Sequence, residues 1–338
     1  MSNPVLVEVT RGPLVESRHR GAICVVDGDG TIVMSVGDVE RPVFPRSAVK
    51  AIQALPFVES GAFDALLLED EEEREAALAL ACSSHNGEAR HVAMAERMLA
   101  AAGLNGETLE CGGHWSRRQA VYREQLARYG GLARPPAVCN NCSGKHSGFV
   151  CTAAHLGEDP RGYTLASHAT QERVRESLQS VTGAAHGRDL AGIDGCSIPT
   201  YAVPLRALAH GFARMTTGVG LEPLRAQAAR RIMKACMARP FFVAGSGRFC
   251  TAIMEAAPGR VFAKTGAEGV FCGALPELGL GIALKCDDGA TRAAEAMMGA
   301  VCGQLLGADG AGLASLGTPD EVNWRAVSTG RVRVSLPG

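Results

Sequence analysis

Three short groups of residues carry the chemistry this sequence can offer. They are Ser47-Ala48-Val49-Lys50, Ser84-His85-Asn86 and Lys264-Thr265-Gly266, in that order along the chain. A serine hydroxyl is a weak nucleophile until a base takes its proton. A lysine three residues later lies on the same helix face, and burial lowers a lysine pKa far enough to make it that base. Ser47 therefore reads as a nucleophile toward an amide carbonyl and Lys50 as the group that deprotonates it. Ser84 and Lys264 would arrive from other segments to shuttle protons. Taken singly, each group has an ordinary structural explanation: a helix cap beside an exposed lysine, a helix C-terminus and turn at Ser84–Gly87, a hairpin turn at Lys264–Gly266. A chain of 338 residues contains about one S-x-x-K by chance. All three in this order and context predict a serine acyl enzyme.

Elements must bring these groups together. Pro45 precedes Ser47, and Ala51, Ile52, Ala54 and Leu55 continue at helical spacing. Ser47 is thus expected at a helix N-terminus, where backbone N–H groups favour developing negative charge. Ser84 follows an apolar helix over Glu73–Ala81, and Lys264 ends a strand, with Gly266 permitting close backbone approach. Strand patterns cluster at both ends. Ala22–Val26 and Thr31–Val36 flank Asp27-Gly28-Asp29-Gly30, a hairpin signal. Cys250–Ala256, Arg260–Lys264, Gly269–Leu275 and Gly281–Cys286 follow late in the chain. Between them, Ala89–Ala102, Ser143–Leu156, Ala166–Val181, Val203–Arg214 and Leu221–Ala238 have helical composition or spacing, and Arg292–Leu306 adds a late helix. This predicts an α/β (α+β) fold, an antiparallel sheet built from both termini with a helical region inserted, as in serine β-lactamases and glutaminases. One catalytic unit over 1–338 is expected, its sheet-containing part from 1–65 and 240–338 and its mainly helical part from 66–239.

Composition narrows the classes. The chain is 46% hydrophobic and 20% charged with a net charge of −1, which points to no nucleic-acid or membrane-surface partner. The charge run Glu69–Arg74 reads as a solvated helix start. The N-terminus, MSNPVLVEVTRG, lacks the basic start and apolar stretch of a signal peptide. No apolar run reaches the roughly 20 residues of a membrane span. A cytoplasmic location is expected, which disfavours cell-wall substrates. The 12 cysteines should then be thiols or metal ligands. Cys24, Cys82, Cys151, Cys236, Cys286 and Cys302 sit among apolar neighbours and read as core. Cys139-Asn140-Asn141-Cys142-Ser143-Gly144-Lys145-His146 and Asp194-Gly195-Cys196 are compact polar groups that allow a metal site, a redox pair or plain structure.

Arg46–Lys50, Cys82–Glu88, Asn141–His146, Asp194–Cys196 and Ala263–Gly269 resemble the rhizobial-type (class 3, asparaginase II) L-asparaginases, with the likeness running from about Val5 to Gly310. The resemblance implies two Ser–Lys tandems, Ser47 with Lys50 and Ser84 with Lys264, Ser84 being preferred over Ser83 for its S-x-N register. It implies a zinc site of Cys142, Lys145, Asp194 and Cys196, a pocket-lining Cys250, a β-lactamase-like fold and a homodimer. Arg46 is then a candidate for the substrate α-carboxylate, and His85 and Asn86 join the substrate-binding set. The backbone N–H groups of Ser47 and Ala267 would hold the oxyanion by analogy with β-lactamases. The expected activity is hydrolysis of L-asparagine, with zinc ordering loops and substrate rather than polarising the amide. A glutaminase, a β-lactam enzyme and a zinc- or redox-responsive binding protein without turnover are the competing readings. The tail ending in Arg331–Ser335 extends past the region of likeness and is assigned no role.

Overall fold

The computed structural model describes residues 2–336; Met1, Pro337 and Gly338 lie outside the described residues. Strands β1 (Val5–Arg11), β2 (Leu14–Val26) and β3 (Ile32–Val36) come from the N-terminal end. Strands β4 (Phe262–Thr265), β5 (Val270–Leu275), β6 (Leu280–Cys286), β7 (Asp320–Val322) and β8 (Ser328–Val334) come from the C-terminal end. They form one sheet in the order β7-β8-β1-β2-β6-β5-β4, with β3 also paired to β2. All pairings are antiparallel. The sheet is thus assembled from both ends of the chain, as the strand pattern predicts, and β4, which carries Lys264, is its edge.

Helices fill the interval. They are α1 (Glu71–Ala81), α2 (Ala89–Ala101), α3 (Gln119–Tyr129), α4 (Ser143–His155), α5 (Ala169–Thr182), α6 (Leu205–Thr217), α7 (Pro223–Ala238), α8 (Phe249–Ala256) and α9 (Thr291–Leu306). The run Glu69–Arg74 does start a helix. Asp70 caps α1 by accepting from the Glu73 N–H at 2.8 Å, and three glutamates occupy the first turn, where the helix dipole favours them. Gly281 faces α6: a Cβ there would lie 2.0 Å from the Ala209 carbonyl oxygen. Gly273, opposite Ile282 and so on the other face, faces Met298 of α9. Helices thus cover both sides of the sheet's centre, and β5 and β6 read as near-continuous apolar runs because neither face meets water. No helix among the described residues is long and apolar enough to cross a membrane.

Three sequence expectations change. Cys250–Ala256 is helix α8, not a strand. Its buried residues Phe249, Cys250, Ile253 and Met254 recur at helical spacing. The segment Gln119–Tyr129 is a helix that carries too few buried residues to announce itself. The tail has a structural place: β8 pairs with β1 in the register Val7 to Val334 and Val9 to Val332, extending the sheet beyond β1.

Two glycines set the approach of the elements that carry the chemistry. A Cβ at Gly144 would meet the Leu80 carbonyl oxygen at 2.2 Å, so α4 starts directly against the end of α1. A Cβ at Gly266 would meet the Pro45 carbonyl oxygen at 2.4 Å, so the end of β4 lies against the turn carrying Ser47. Gly144→Ala is expected to cost about 1–3 kcal/mol of stability by forcing these backbones apart. Denaturant unfolding checks it, and an unchanged midpoint would contradict the packing described.

Candidate active site

Ser47 lies in a 3-10 turn, Arg46–Val49, that passes into a helical turn over Lys50–Gln53. It is half-buried, and its hydroxyl has no hydrogen-bond partner among the described residues. Arg46, just before it, takes a left-handed backbone (φ 52°), which is costly for a side-chain-bearing residue and is a feature of strained functional turns. The Lys50 side chain turns inward and is buried. Its ammonium donates to Ser84 Oγ at 3.1 Å, to Cys142 Sγ at 3.0 Å and to the Ser83 carbonyl oxygen. It makes no hydrogen bond to Ser47. Lys264 donates to the same Ser84 Oγ at 2.9 Å and to the Thr265 carbonyl oxygen at 2.8 Å. Ser84 is therefore the hub between the two lysines. The adjacent Ser83 hydroxyl is buried without a partner, so the S-x-N register selects the serine that bridges them.

The two lysines crowd each other in a dry environment. Burial, with Lys50 close by, pushes Lys264 down to about 7, which makes it a proton acceptor near neutral pH. The backbone N–H groups of Ser47 and Ala267 both lack a hydrogen-bond partner among the described residues. Gly266, the residue before Ala267, packs against Pro45 and Ala48 on either side of the Ser47 turn, and two free N–H groups are what an oxyanion requires.

The cysteine segment meets this centre through Lys50. Cys142 stands just before α4 and Lys145 in its first turn, while Asp194 to Cys196 form the turn of a small hairpin, Ala191–Ile193 with Pro199–Tyr201. Lys145 donates to Cys196 Sγ at 3.1 Å. The Cys196 thiol hydrogen-bonds Cys142, which with Lys50 and Lys145 facing it is held well below the usual thiol range. Cys196, bonded to Cys142 and buried, is pushed up, so the pair carries one thiolate, on Cys142. Burial acts to lower Lys145, but Cys196, Cys142 and Asp194 outweigh it and raise it. Asp194 stands back from this group. Arg46 donates to its carboxylate at 2.6 Å, and its oxygens do not join both thiols within 4.8 Å. Cys142, Cys196 and Lys145, two soft sulfur donors and an amine, suit zinc in type. Asp194 instead ties the hairpin to the Ser47 turn.

Other expected site residues are engaged internally. His85 is buried between the Ser143 hydroxyl (2.9 Å) and the Gly87 N–H (2.9 Å), stacks on His91, and is held well below the usual imidazole range by burial. Asn86 donates to Glu88 at 3.0 Å and to the Ser246 carbonyl at 3.1 Å. Cys250 is buried against β4, hydrogen-bonded to the Thr265 backbone, and its thiol is raised by burial. One neighbour escaped the sequence reading. Arg248 donates to the Ser84 carbonyl (3.3 Å) and to Asn86 (3.2 Å), bracing the loop that carries Ser84; nothing in its local sequence marks it. Beside the Ser47 turn a cavity of about 340 Å³ is lined by Arg41, Phe44, Arg46, Glu268 and Lys285 among others. Glu268, like Arg46, has a left-handed backbone (φ 59°).

The sequence profile of one family, described as L-asparaginase II, matches residues 7–334, so the tail strand lies within the family's extent. No curated protein matches in sequence. Among solved structures, Mglu is 16% identical over 86% of this chain and 69% of its own, with a TM-score of 0.37. A β-lactamase from Mycobacterium bovis is 14% identical over 81% of this chain and 89% of its own, with a TM-score of 0.38. A mutant of simvastatin synthase (LovD) from Aspergillus terreus is 12% identical over 79% and 86%, with a TM-score of 0.40.

Proposed function

From membership of the L-asparaginase II family, to which this chain belongs, we propose that it hydrolyses L-asparagine to L-aspartate and ammonia through a serine acyl enzyme. The observation that carries this reading is the hub at Ser84, where Lys50 and Lys264, both buried, converge on one hydroxyl.

Ser47 attacks the side-chain amide carbon. It is the more accessible of the two serines, and no internal hydrogen bond has to break before it reacts. Its proton passes to Lys50, one turn on, once that lysine is in its neutral amine form. Lys264 and Ser84 carry a proton onward to the departing ammonia. The oxyanion lies between the N–H groups of Ser47 and Ala267. Water then cleaves the aspartyl ester, and the same lysines return the protons. The amino-acid end of the substrate enters the cavity walled by Arg46 and Glu268.

Cys142, Lys145 and Cys196 would hold the zinc ion of the proposed site, with Asp194 as an outlying fourth member. A bound ion would supply positive charge to the Cys142 and Cys196 sulfurs. Arg46 transmits the hairpin's position to the Ser47 turn through its 2.6 Å bond to Asp194. Arg46→Lys is expected to raise KM for asparagine roughly 10- to 100-fold with a smaller change in kcat, because one charge-assisted hydrogen bond of about 1.5–3 kcal/mol is lost. Steady-state kinetics check it; an unchanged KM would remove Arg46 from substrate binding. A homodimer in the cytoplasm completes the proposal.

Ammonia release from L-asparagine and L-glutamine, measured side by side, tests the substrate. Preference for asparagine supports the proposal. Release from glutamine alone keeps the chemistry and moves the substrate by one methylene, a discrimination of about 1–3 kcal/mol. Binding of either amino acid without ammonia would leave a binding protein.

A further inference from the structure

We propose that His19, Cys286 and Asp288 form a second divalent-cation site, suited to zinc or a similarly soft ion, built from none of the residues of the Cys142 group. Imidazole nitrogen, thiolate sulfur and carboxylate oxygen are the donors zinc takes, and three protein ligands leave the fourth position to water. The donor atoms of the three residues all lie within 4.8 Å of one another.

The scaffold is rigid. His19 is on β2, Cys286 ends the neighbouring strand β6, and Asp288 follows in a turn. The Asp287 N–H donates to the Arg20 carbonyl at 2.9 Å and the Gly289 N–H to the Cys286 carbonyl at 3.2 Å, so the turn is pinned to both strands. His19 is 5% exposed and Cys286 fully buried. The Asp288 side chain is about half exposed (48%), which gives an ion a way in.

The side chains already converge. His19 Nδ1 lies 2.6 Å from one Asp288 oxygen, and the Cys286 thiol donates to the other at 2.9 Å. The other ring nitrogen of His19 is buried and makes no hydrogen bond, so the ring's one polar contact is directed into this cluster. Neighbouring cations are turned away. Lys285 donates to the Glu268 and Cys286 carbonyls, and Arg20 to the Asn3 carbonyl. Arg41 pairs with Asp287 at 3.9 Å. On binding, the Cys286 S–H bond breaks and its proton leaves to solvent, the His19 proton moves from Nδ1 to Nε2, and sulfur, Nδ1 and carboxylate each donate a lone pair with no change of oxidation state.

The site has a consequence for the turn that carries Ala267. The Cys286 N–H donates to the Gly269 carbonyl at 2.8 Å, and Lys285 donates to the Glu268 carbonyl at 2.7 Å. An ion on Cys286 stiffens the far side of that turn.

The test uses the full-length protein, stripped with chelator and equilibrated with Zn²⁺ alone or Co²⁺ alone. Bound metal per chain is measured by equilibrium dialysis, together with the melting temperature, for wild type, Cys286→Ser and Asp288→Asn. Each variant should bind about one equivalent fewer than wild type, or bind it at least tenfold more weakly, and should lose part of the metal-dependent rise in Tm. Equal stoichiometry and affinity in wild type and Asp288→Asn would overturn the proposal, as would a wild type that takes up no ion. Asp288 is exposed, so that variant carries the test even if Cys286→Ser fails to fold.

Discussion

Ser47→Ala should reduce kcat/KM for the amide substrate by about 10⁴-fold or more while leaving the melting temperature unchanged. The two halves of that result have one cause. The Ser47 hydroxyl makes no hydrogen bond among the described residues, so removing it leaves no buried group unpaired. Ser84→Ala should behave differently. Its hydroxyl accepts from Lys50 and from Lys264, both buried, and its loss strands a donor on each. That variant should lose both activity and stability, the latter by about 1–3 kcal/mol. Kinetics and thermal melting on the two variants separate the roles. A Ser47→Ala enzyme with near-normal turnover would exclude Ser47 as nucleophile.

The second large effect concerns Lys264. Its pKa of about 7 makes the neutral amine available only as pH rises through that value. The rate should therefore climb with pH around 7 in wild type. Lys264→Met should lose roughly 10²–10⁴-fold in kcat, and the residual rate should no longer follow that titration. Stability should rise with pH as well, over the range above 7. The unfolded chain holds the proton up to the ordinary lysine value of 10.5 and the folded chain releases it at about 7. Between these values the unfolded state binds more protons, so the wild type loses stability as pH falls from 10.5 toward 7, and the penalty is complete below 7. Lys264→Met lacks this dependence. Its melting temperature relative to wild type should be highest below pH 7 and should decline as pH rises toward 10. A difference independent of pH would mean that the amine is not destabilised by burial.

The candidate groups were legible because their types are rare in such contexts and their order along the chain is informative. What the motifs could not convey is which atoms meet. Pairing Ser47 with Lys50 and Ser84 with Lys264 suggests two separate tandems, whereas the Lys50 ammonium reaches past Ser47 to Ser84 and Cys142. That connection depends on Gly144 letting α4 touch the end of α1, a tertiary contact with no local signal. The same limit applies to Asp194. Its spacing from Cys196 suggests a ligand and does not convey that one of its carboxylate oxygens meets Arg46. The sheet's central strands were readable from continuous apolar runs. β1 and β8 were missed because each is mixed in polarity and they pair with each other from opposite ends of the chain. Cys250–Ala256 misled because its helical pattern starts at Phe249 and is short: a run of seven residues is as long as a strand, and length does not separate the two.

The central claim is that an ester forms on Ser47 during amide hydrolysis. Acid-quenching the full-length enzyme during turnover of L-asparagine, followed by peptide mass mapping, tests it most directly. The account predicts an aspartyl adduct on the peptide containing Ser47, absent in Ser47→Ala. An adduct on Ser84 instead, or release of ammonia by Ser47→Ala at the wild-type rate, would contradict it.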